Sequence, residues 1–343
     1  MSLNVREKRL LFHEEYINLS DDNYNIYTLF IRGNFMTGKN VAVLCGGDGR
    51  EREVSLRSGK AVCDALIDAG FDAVCIDLKA LDETEKVKNF DGVFIAMHGD
   101  WGEGGQLQAK LEAMHIPYTG SGPRASSLAM DKWKACEVFT KAGINMPNGL
   151  LIPASFDEIV SRLGRDVVVK PCSGGSTVGV TIITGLTPEK LDEAVRVAKG
   201  SYDSDVMIEK YIPGHELTCA VWERSGKVQA LPVIEIAPHS GYYDYTNKYT
   251  SGATDYIVPA KLDPEISARV QAMAVKAHES LGCSGYSRAD FRLSPEGQAY
   301  ILEVNTAPGM TATSLVPKAA KAIGMSMSDF VGEIMRSASD GKP

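Results

Sequence analysis

The stretch Arg288-Ala289-Asp290-Phe291-Arg292-Leu293, followed after a turn by Ala299-Tyr300-Ile301-Leu302-Glu303-Val304-Asn305-Thr306-Ala307-Pro308-Gly309-Met310, decides the fold of this chain. Apolar and polar residues alternate on both sides of the turn, the pattern of a half-buried β-hairpin. Ala289, Phe291 and Leu293 then share one face of the first strand, and Arg288 and Asp290 the other. On the second strand Tyr300, Leu302 and Val304 lie opposite Ile301, Glu303 and Asn305. A four-residue loop, Pro295 to Gln298, sets Ser294 across from Ala299. The same register sets Asp290 across from Glu303 and Arg288 across from Asn305. Two carboxylates and an amide oxygen converge there, a donor set suited to Mg²⁺. An Asp/Glu pair on strands is more often a solvated face. Like charges directly opposite repel, however, so a metal or Arg288 is needed to hold them.

Working outward, the chain has 343 residues, enough for two or three domains. With 44% hydrophobic and 23% charged residues it falls in the ordinary globular class. A formal net charge of -8 argues against nucleic acid as the main partner. No apolar run approaches a membrane span, and the start has no leader pattern. The seven cysteines are scattered, with no metal-ligand spacing, which predicts a reduced, cytoplasmic protein without a structural metal.

Residues 1–36 read as an extension that is not essential, ending at an internal methionine, Met36. From there strands and helices alternate. Strands are predicted at Val41–Cys45, Ala73–Asp77 and Gly92–Met97, with a helix at Ser55–Ala69, a parallel α/β unit over 37–120. A second unit, 121–213, has a helix at Asp131–Ala142 and strands Val167–Lys170, Val178–Ile183 and Val206–Lys210, with a helix at Pro188–Ala198. The third, 214–343, opens with antiparallel runs Thr218–Glu223 and Val228–Glu235 and has a helix at Pro264–Leu281. Between these lies a long irregular stretch, 239–257, of a length usually kept for function.

Several motifs carry chemistry. Lys170-Pro171-Cys172-Ser173-Gly174-Gly175-Ser176-Thr177 joins two strands. Its glycines and hydroxyls offer donors to an anion, although such a loop is as often a plain turn. No Walker phosphate loop occurs. Gly46-Gly47-Asp48-Gly49-Arg50-Glu51-Arg52-Glu53 lacks the third glycine of a dinucleotide fingerprint. It leads into a helix, whose start favours an anion, while Glu53 could hold an ammonium or merely cap. His98 follows a buried strand at the ligand edge of a parallel sheet, where a structural role is the commoner one.

Asp290 with Glu303-Val304-Asn305 resembles the magnesium signature of the ATP-grasp ligases. The longer run Leu302 to Thr311, with Ser314-Leu315-Val316-Pro317 and Glu53 to Gly59, is similar to the D-alanine–D-alanine ligase family from about Asn40 onward. The resemblance implies a mixed α/β and α+β, three-domain ATP-grasp chain, with nucleotide between the central and C-terminal domains. It implies ATP and two Mg²⁺ ions, or Mn²⁺, the metal on Asp290, Glu303 and Asn305. Phosphates would meet Lys132, Lys170 and Lys248, adenine the segment Glu209, Lys210 to Ile212, and the ribose Glu216. Glu53 and His98 would hold the first D-alanine, and Ser314 and Leu315 the second. Tyr249, in a lid over 239–257, would tie Ser176 to Glu53, and Arg288 with the Gly309 N–H would stabilise an oxyanion. The resemblance further implies small-molecule substrates and a homodimer. A ligase of other substrates and a non-catalytic nucleotide-binding module are the competing readings. The presence of every metal ligand and of Arg288 counts against the second.

Overall fold

The computed structural model describes residues 26–27, 39–49, 51–224, 226–239 and 252–341. In the N-terminal sheet β2 (Asn40–Gly46), β3 (Asp72–Leu78) and β4 (Gly92–Ile95) run parallel, in the order β3-β2-β4. Their unbroken apolar runs fit strands buried on both faces. Outside β3 lies β1 (Ile26–Tyr27), antiparallel, so part of the expected extension forms an edge strand. Helix α1 (Arg52–Asp68) starts three residues before the predicted Ser55, and α2 (Asp100–Glu103), α3 (Gln106–Ala113), α4 (Pro123–Met130) and α5 (Lys132–Lys141) follow β4. The rest of the expected extension, residues 1–25 and 28–36, lies outside the described residues.

The central sheet is antiparallel: β5 (Gly149–Leu151), β8 (Val206–Lys210), β6 (Val167–Pro171) and β7 (Thr181–Ile183), in that order. The glycine-rich loop is therefore a hairpin connection between β6 and β7, as predicted, with β7 shorter than expected. Helices α6 (Phe156–Leu163) and α7 (Pro188–Lys199) bury Ile159, Leu163, Leu191 and Ala194 against it. Both have serine or threonine caps, Ser155 and Thr187, whose hydroxyls accept a backbone N–H of the first turn.

The C-terminal sheet runs β12 (Thr254–Ile257), β11 (Ile234–Pro238), β9 (His215–Arg224), β13 (Tyr286–Leu293), β14 (Ala299–Asn305), with β10 (Lys227–Ala230) also on β9. The predicted run Val228–Glu235 is thus two strands on one edge of β9, broken around Pro232, which has no N–H for the ladder. The predicted irregular stretch 239–257 ends in strand β12. Helix α8 (Pro264–Leu281) covers this sheet through Val270, Ala274 and Ala277. The last helix, α10 (Met327–Gly341), returns to α1, and Phe330 and Met335 share one core with Val43, Leu66, Phe94 and Trp222.

The decisive hairpin is present, with one correction. Arg288 pairs with Asn305 and Asp290 with Glu303, as expected. Beyond them the register shifts, so Phe291 faces Ile301 and Leu293, not Ser294, faces Ala299. The extra residue is Leu302, a β-bulge. It turns Ile301 inward beside Phe291 and leaves Tyr300 outward. Strict alternation would have left Ile301 on the carboxylate face. The bulge lets Ile301 and Val304 both reach the core and sends Leu302 to the cleft.

Candidate active site

The carboxylates, the glycine-rich loop, the start of α1 and the end of β8 border one cleft of about 600 Å³. Of the predicted site residues within the described part, Ser176, Arg288, Gly309, Ser314, Leu315, Lys132, Lys170, Glu209, Lys210, Ile212, Glu216, Asp290, Glu303, Asn305 and His98 all line it. Lys248 and Tyr249 lie outside the described residues. Glu53 does not reach the cleft: it is exposed on α1. Glu51 takes its place, and the Ser176 hydroxyl donates to its carboxylate. Because α1 begins at Arg52, Glu53 is already helical and turned away, while Glu51 is the residue at the mouth. Ser176 reaches it from a left-handed backbone, φ 54°, a conformation costly for a residue with a Cβ and found mostly where function holds it.

Two features hold the approach to Glu51. Arg52 donates to both oxygens of Asp77, at 2.8 and 2.6 Å, and to the Gly47 carbonyl at 2.9 Å. Gly46 sits at φ 92°, and a Cβ there would come within 2.1 Å of Asp77 Oδ1, so only glycine lets the strand end this way.

On the carboxylate side, Arg288 donates twice to Asp290, at 2.9 and 2.8 Å. Thr218, fully buried on β9, donates to Asp290 Oδ1 at 2.6 Å. Asn305 Nδ2 donates to Oδ2 at 3.1 Å. Glu303 is paired with Lys132 at 3.1 Å. Lys132 also donates to the Gly174 carbonyl at 2.6 Å, which ties the glycine-rich loop to the sheet. Lys170 and Glu209 form a buried pair at 2.8 Å. Burial pulls the Lys170 pKa down, but the Glu209 carboxylate outweighs it and holds the ammonium above its ordinary value. Glu103, which the sequence reading did not single out, also lines the cleft. Burial first and Glu51 second push its carboxyl well above the usual carboxylate range.

His98 has a definite proton arrangement. Its Nδ1 lies 3.0 Å from the Ala307 carbonyl, which can only accept, so Nδ1 carries the hydrogen. Burial lowers the ring's pKa against the opposing pull of Glu51, which favours the neutral form. Nε2 then accepts from the Ser58 hydroxyl at 2.9 Å, whose oxygen accepts the Met310 N–H at 3.4 Å. His98 and Ser58 thus grip both ends of Ala307–Met310, the loop that presents Gly309. Ser58, fully buried, was not legible as part of the site.

The chemistry of the donor set fits Mg²⁺: Asp290, Glu303 and the Asn305 amide supply hard oxygens. Among the described residues no group of three His, Cys, Asp or Glu side chains gathers as a metal cluster. The cleft is also lined by the apolar side chains of Val168, Ile182, Ile212 and Leu302, suited to a flat heterocycle.

This arrangement, a glycine-rich hairpin loop facing a carboxylate-bearing antiparallel sheet, is that of the ATP-grasp class. Models of the D-ala D-ala ligase N-terminus and C-terminus match residues 77–121 and 135–336. The chain is 45% identical over 301 residues to a D-alanine–D-alanine ligase of Bordetella petrii, covering 87% of this chain and 91% of that one. It is 46% identical over 307 residues to one of Anaeromyxobacter sp., covering 88% and 97%. Among solved structures it resembles the VanG D-Ala:D-Ser ligase of Enterococcus faecalis, with a TM-score of 0.77 and 32% identity over 88% of this chain and 99% of that one. It also resembles a Bacillus anthracis D-alanine–D-alanine ligase complexed with ATP, with a TM-score of 0.76 and 34% identity over 88% and 97%. The chain belongs to the D-alanine–D-alanine ligase family.

Proposed function

We propose that this chain joins two D-alanine molecules to D-alanyl-D-alanine at the expense of ATP, through a D-alanyl phosphate, for peptidoglycan synthesis. The observation that carries this is the meeting, in one cleft, of a Glu51–Ser176 pair at the mouth with the Lys132, Lys170 and Arg288 cations, paired with Glu303, Glu209 and Asp290. Glu51 takes the ammonium of the first D-alanine and leaves its carboxylate facing the nucleotide. A carboxylate oxygen attacks the γ-phosphorus and ADP leaves. Positioning and fixed positive charge from Lys132 and Lys170 are the main demands of that step. Lys248 and Tyr249 belong to this reading as the phosphate and Ser176 partners. A magnesium ion, held by Asp290, Glu303 and Asn305, would supply charge neutralisation at the β- and γ-phosphates. Manganese would serve with the same oxygens, and two ions per site are part of the reading.

The amine of the second D-alanine, seated near Ser314 and Leu315, then attacks the acyl carbon and inorganic phosphate leaves. Arg288 and the Gly309 N–H face the oxyanion that forms, where a fixed donor contributes about 3 kcal/mol. Ser314 packs closely enough on Gly309 that a Cβ there would meet its Oγ at 3.0 Å. The reading includes a homodimer in the cytoplasm, which sedimentation and cell fractionation test. No helix among the described residues is long and apolar enough to cross a membrane.

Phosphate release with ATP and Mg²⁺ across D-alanine, L-alanine, D-serine and D-lactate tests the assignment. D-alanine alone should give strong turnover. A preference for another acceptor overturns the D-alanine reading. Asp290→Asn and Glu303→Gln should nearly abolish turnover with circular dichroism unchanged, and near wild-type rates at saturating Mg²⁺ would remove these residues from the site.

A further inference from the structure

Lys318 stands in the first turn of α9 (Leu315–Ala322), four residues after Ser314, and does not line the cleft. Its ammonium donates to the Thr313 carbonyl at 2.5 Å and lies 4.1 Å from the centroid of the Tyr256 ring. A surface lysine normally lays its stem on the protein and keeps its charge in water. Here the charge is drawn in, and burial lowers its pKa. The carbonyl and the face of the ring are the compensating partners, the second a cation–π contact.

Each partner belongs to a different part of the fold. Thr313 sits in the turn that shapes Ser314: Ser314 N–H donates to the Thr311 carbonyl at 2.9 Å, and Thr311 N–H donates to Ser314 Oγ at 3.0 Å. Tyr256 belongs to β12 and pairs with Ile236 of β11. Directly opposed residues of an antiparallel pair share a face, and Ile236 lines the cleft. Tyr256 also packs with Leu315 against the core shared by the N- and C-terminal parts.

We propose that Lys318 is a positioning residue for the acceptor amino acid, which fixes the Thr311–Ser314 turn to strand β12 through the Tyr256 ring. The proposal rests on the reading of Ser314 and Leu315 as the acceptor site. Lys318 touches no substrate; it sets the distance between the turn and the strand. Losing either partner should therefore weaken acceptor binding and leave the first D-alanine and ATP untouched.

The test is steady-state kinetics resolving the two D-alanine KM values and the ATP KM for wild type, Lys318→Met, Tyr256→Leu, and the double variant. Lys318→Met and Tyr256→Leu should each raise the acceptor KM by about tenfold, the scale of a half-buried cation–π contact with its hydrogen bond. The first-site KM and the ATP KM should stay within about twofold. The double variant should be no worse than the weaker single one, because both changes remove the same tie. Lys318→Arg and Tyr256→Phe, which keep charge and ring, should bind the acceptor within about twofold of wild type. An unchanged acceptor KM in Lys318→Met, a proportional rise of all three KM values, multiplicative effects in the double variant, or a loss in the Arg or Phe variants as large as in Met or Leu would each overturn the role of Lys318. A wild-type protein that forms no dipeptide would overturn the reading of the reaction instead.

Discussion

Glu51 and Glu53 are two residues apart, but Glu51 precedes the helix and borders the cleft, while Glu53 lies on the first turn of α1 and is exposed. Glu51→Gln should lower kcat/KM for the first D-alanine by about a hundredfold, the scale of a lost charge-assisted contact of about 3 kcal/mol. Glu53→Gln should leave it within about twofold, since an exposed side chain away from such contacts contributes little. Kinetics of the two variants with ATP saturating check this, and equal losses would return the role to Glu53. The sequence reading assigned the role to Glu53 and did not weigh Glu51; with the helix expected from Ser55, both residues lay in the stretch that follows the glycines. The start of α1 separates them, and helix ends are the part of an element that local sequence marks least firmly. Asp290, Glu303 and Asn305 were legible because alternation along two strands places them without any long-range knowledge. Ser58 and Thr218 were not. A buried serine and a buried strand threonine carry no local sign of function, and their roles come from partners 40 and 72 positions away along the chain.

At the scale of elements, period-two alternation located the hairpin but not its bulge, because Tyr300, Ile301 and Leu302 are all acceptable in either orientation. Only the core beneath them prefers Ile301. The strand break at Pro232 follows from a missing donor, whereas the β12 strand was hidden inside a polar, aromatic stretch. Helix α8 carries a testable pH dependence. His278 is 1% exposed, with Nδ1 2.8 Å from Ser287 Oγ and no hydrogen-bond partner for Nε2 among the described residues. Burial, against the opposing pull of Glu223, pushes its pKa down to about 4. The folded value lies below the unfolded one, so the unfolded chain binds the proton more readily. Its stabilising contribution is present above the unfolded pKa of roughly 6.5 and is lost as pH falls towards 4. Urea unfolding should show a loss of about 2 kcal/mol from this group between about pH 7 and about pH 5. His278→Gln should flatten that slope, and an unchanged slope would show that the ring protonates equally well in both states.

For the whole molecule, the three sheets meet around one cleft, and the last helix closes the chain back on the first. Residues 1–36 add only Ile26–Tyr27 to that frame among the described residues, at the outer edge of β3. A protein starting at Met36 should keep its turnover and lose no more than about 1–2 kcal/mol in urea. A larger loss would show that the edge strand is part of the fold proper. The cleft itself has a consequence for how it fills. Its cations and anions already satisfy one another: Lys132 with Glu303, Lys170 with Glu209, Arg288 with Asp290. A nucleotide arriving alone would draw lysines off carboxylates and strand negative charge. A divalent ion arriving alone would do the reverse. Arriving together, they exchange partners at nearly constant net charge, so each should raise the affinity for the other by the same factor, as linkage requires. The resting enzyme is in that sense a salt awaiting metathesis. Calorimetric titration of ATP with and without Mg²⁺, and of Mg²⁺ with and without nucleotide, should close to one coupling factor of about 10–100.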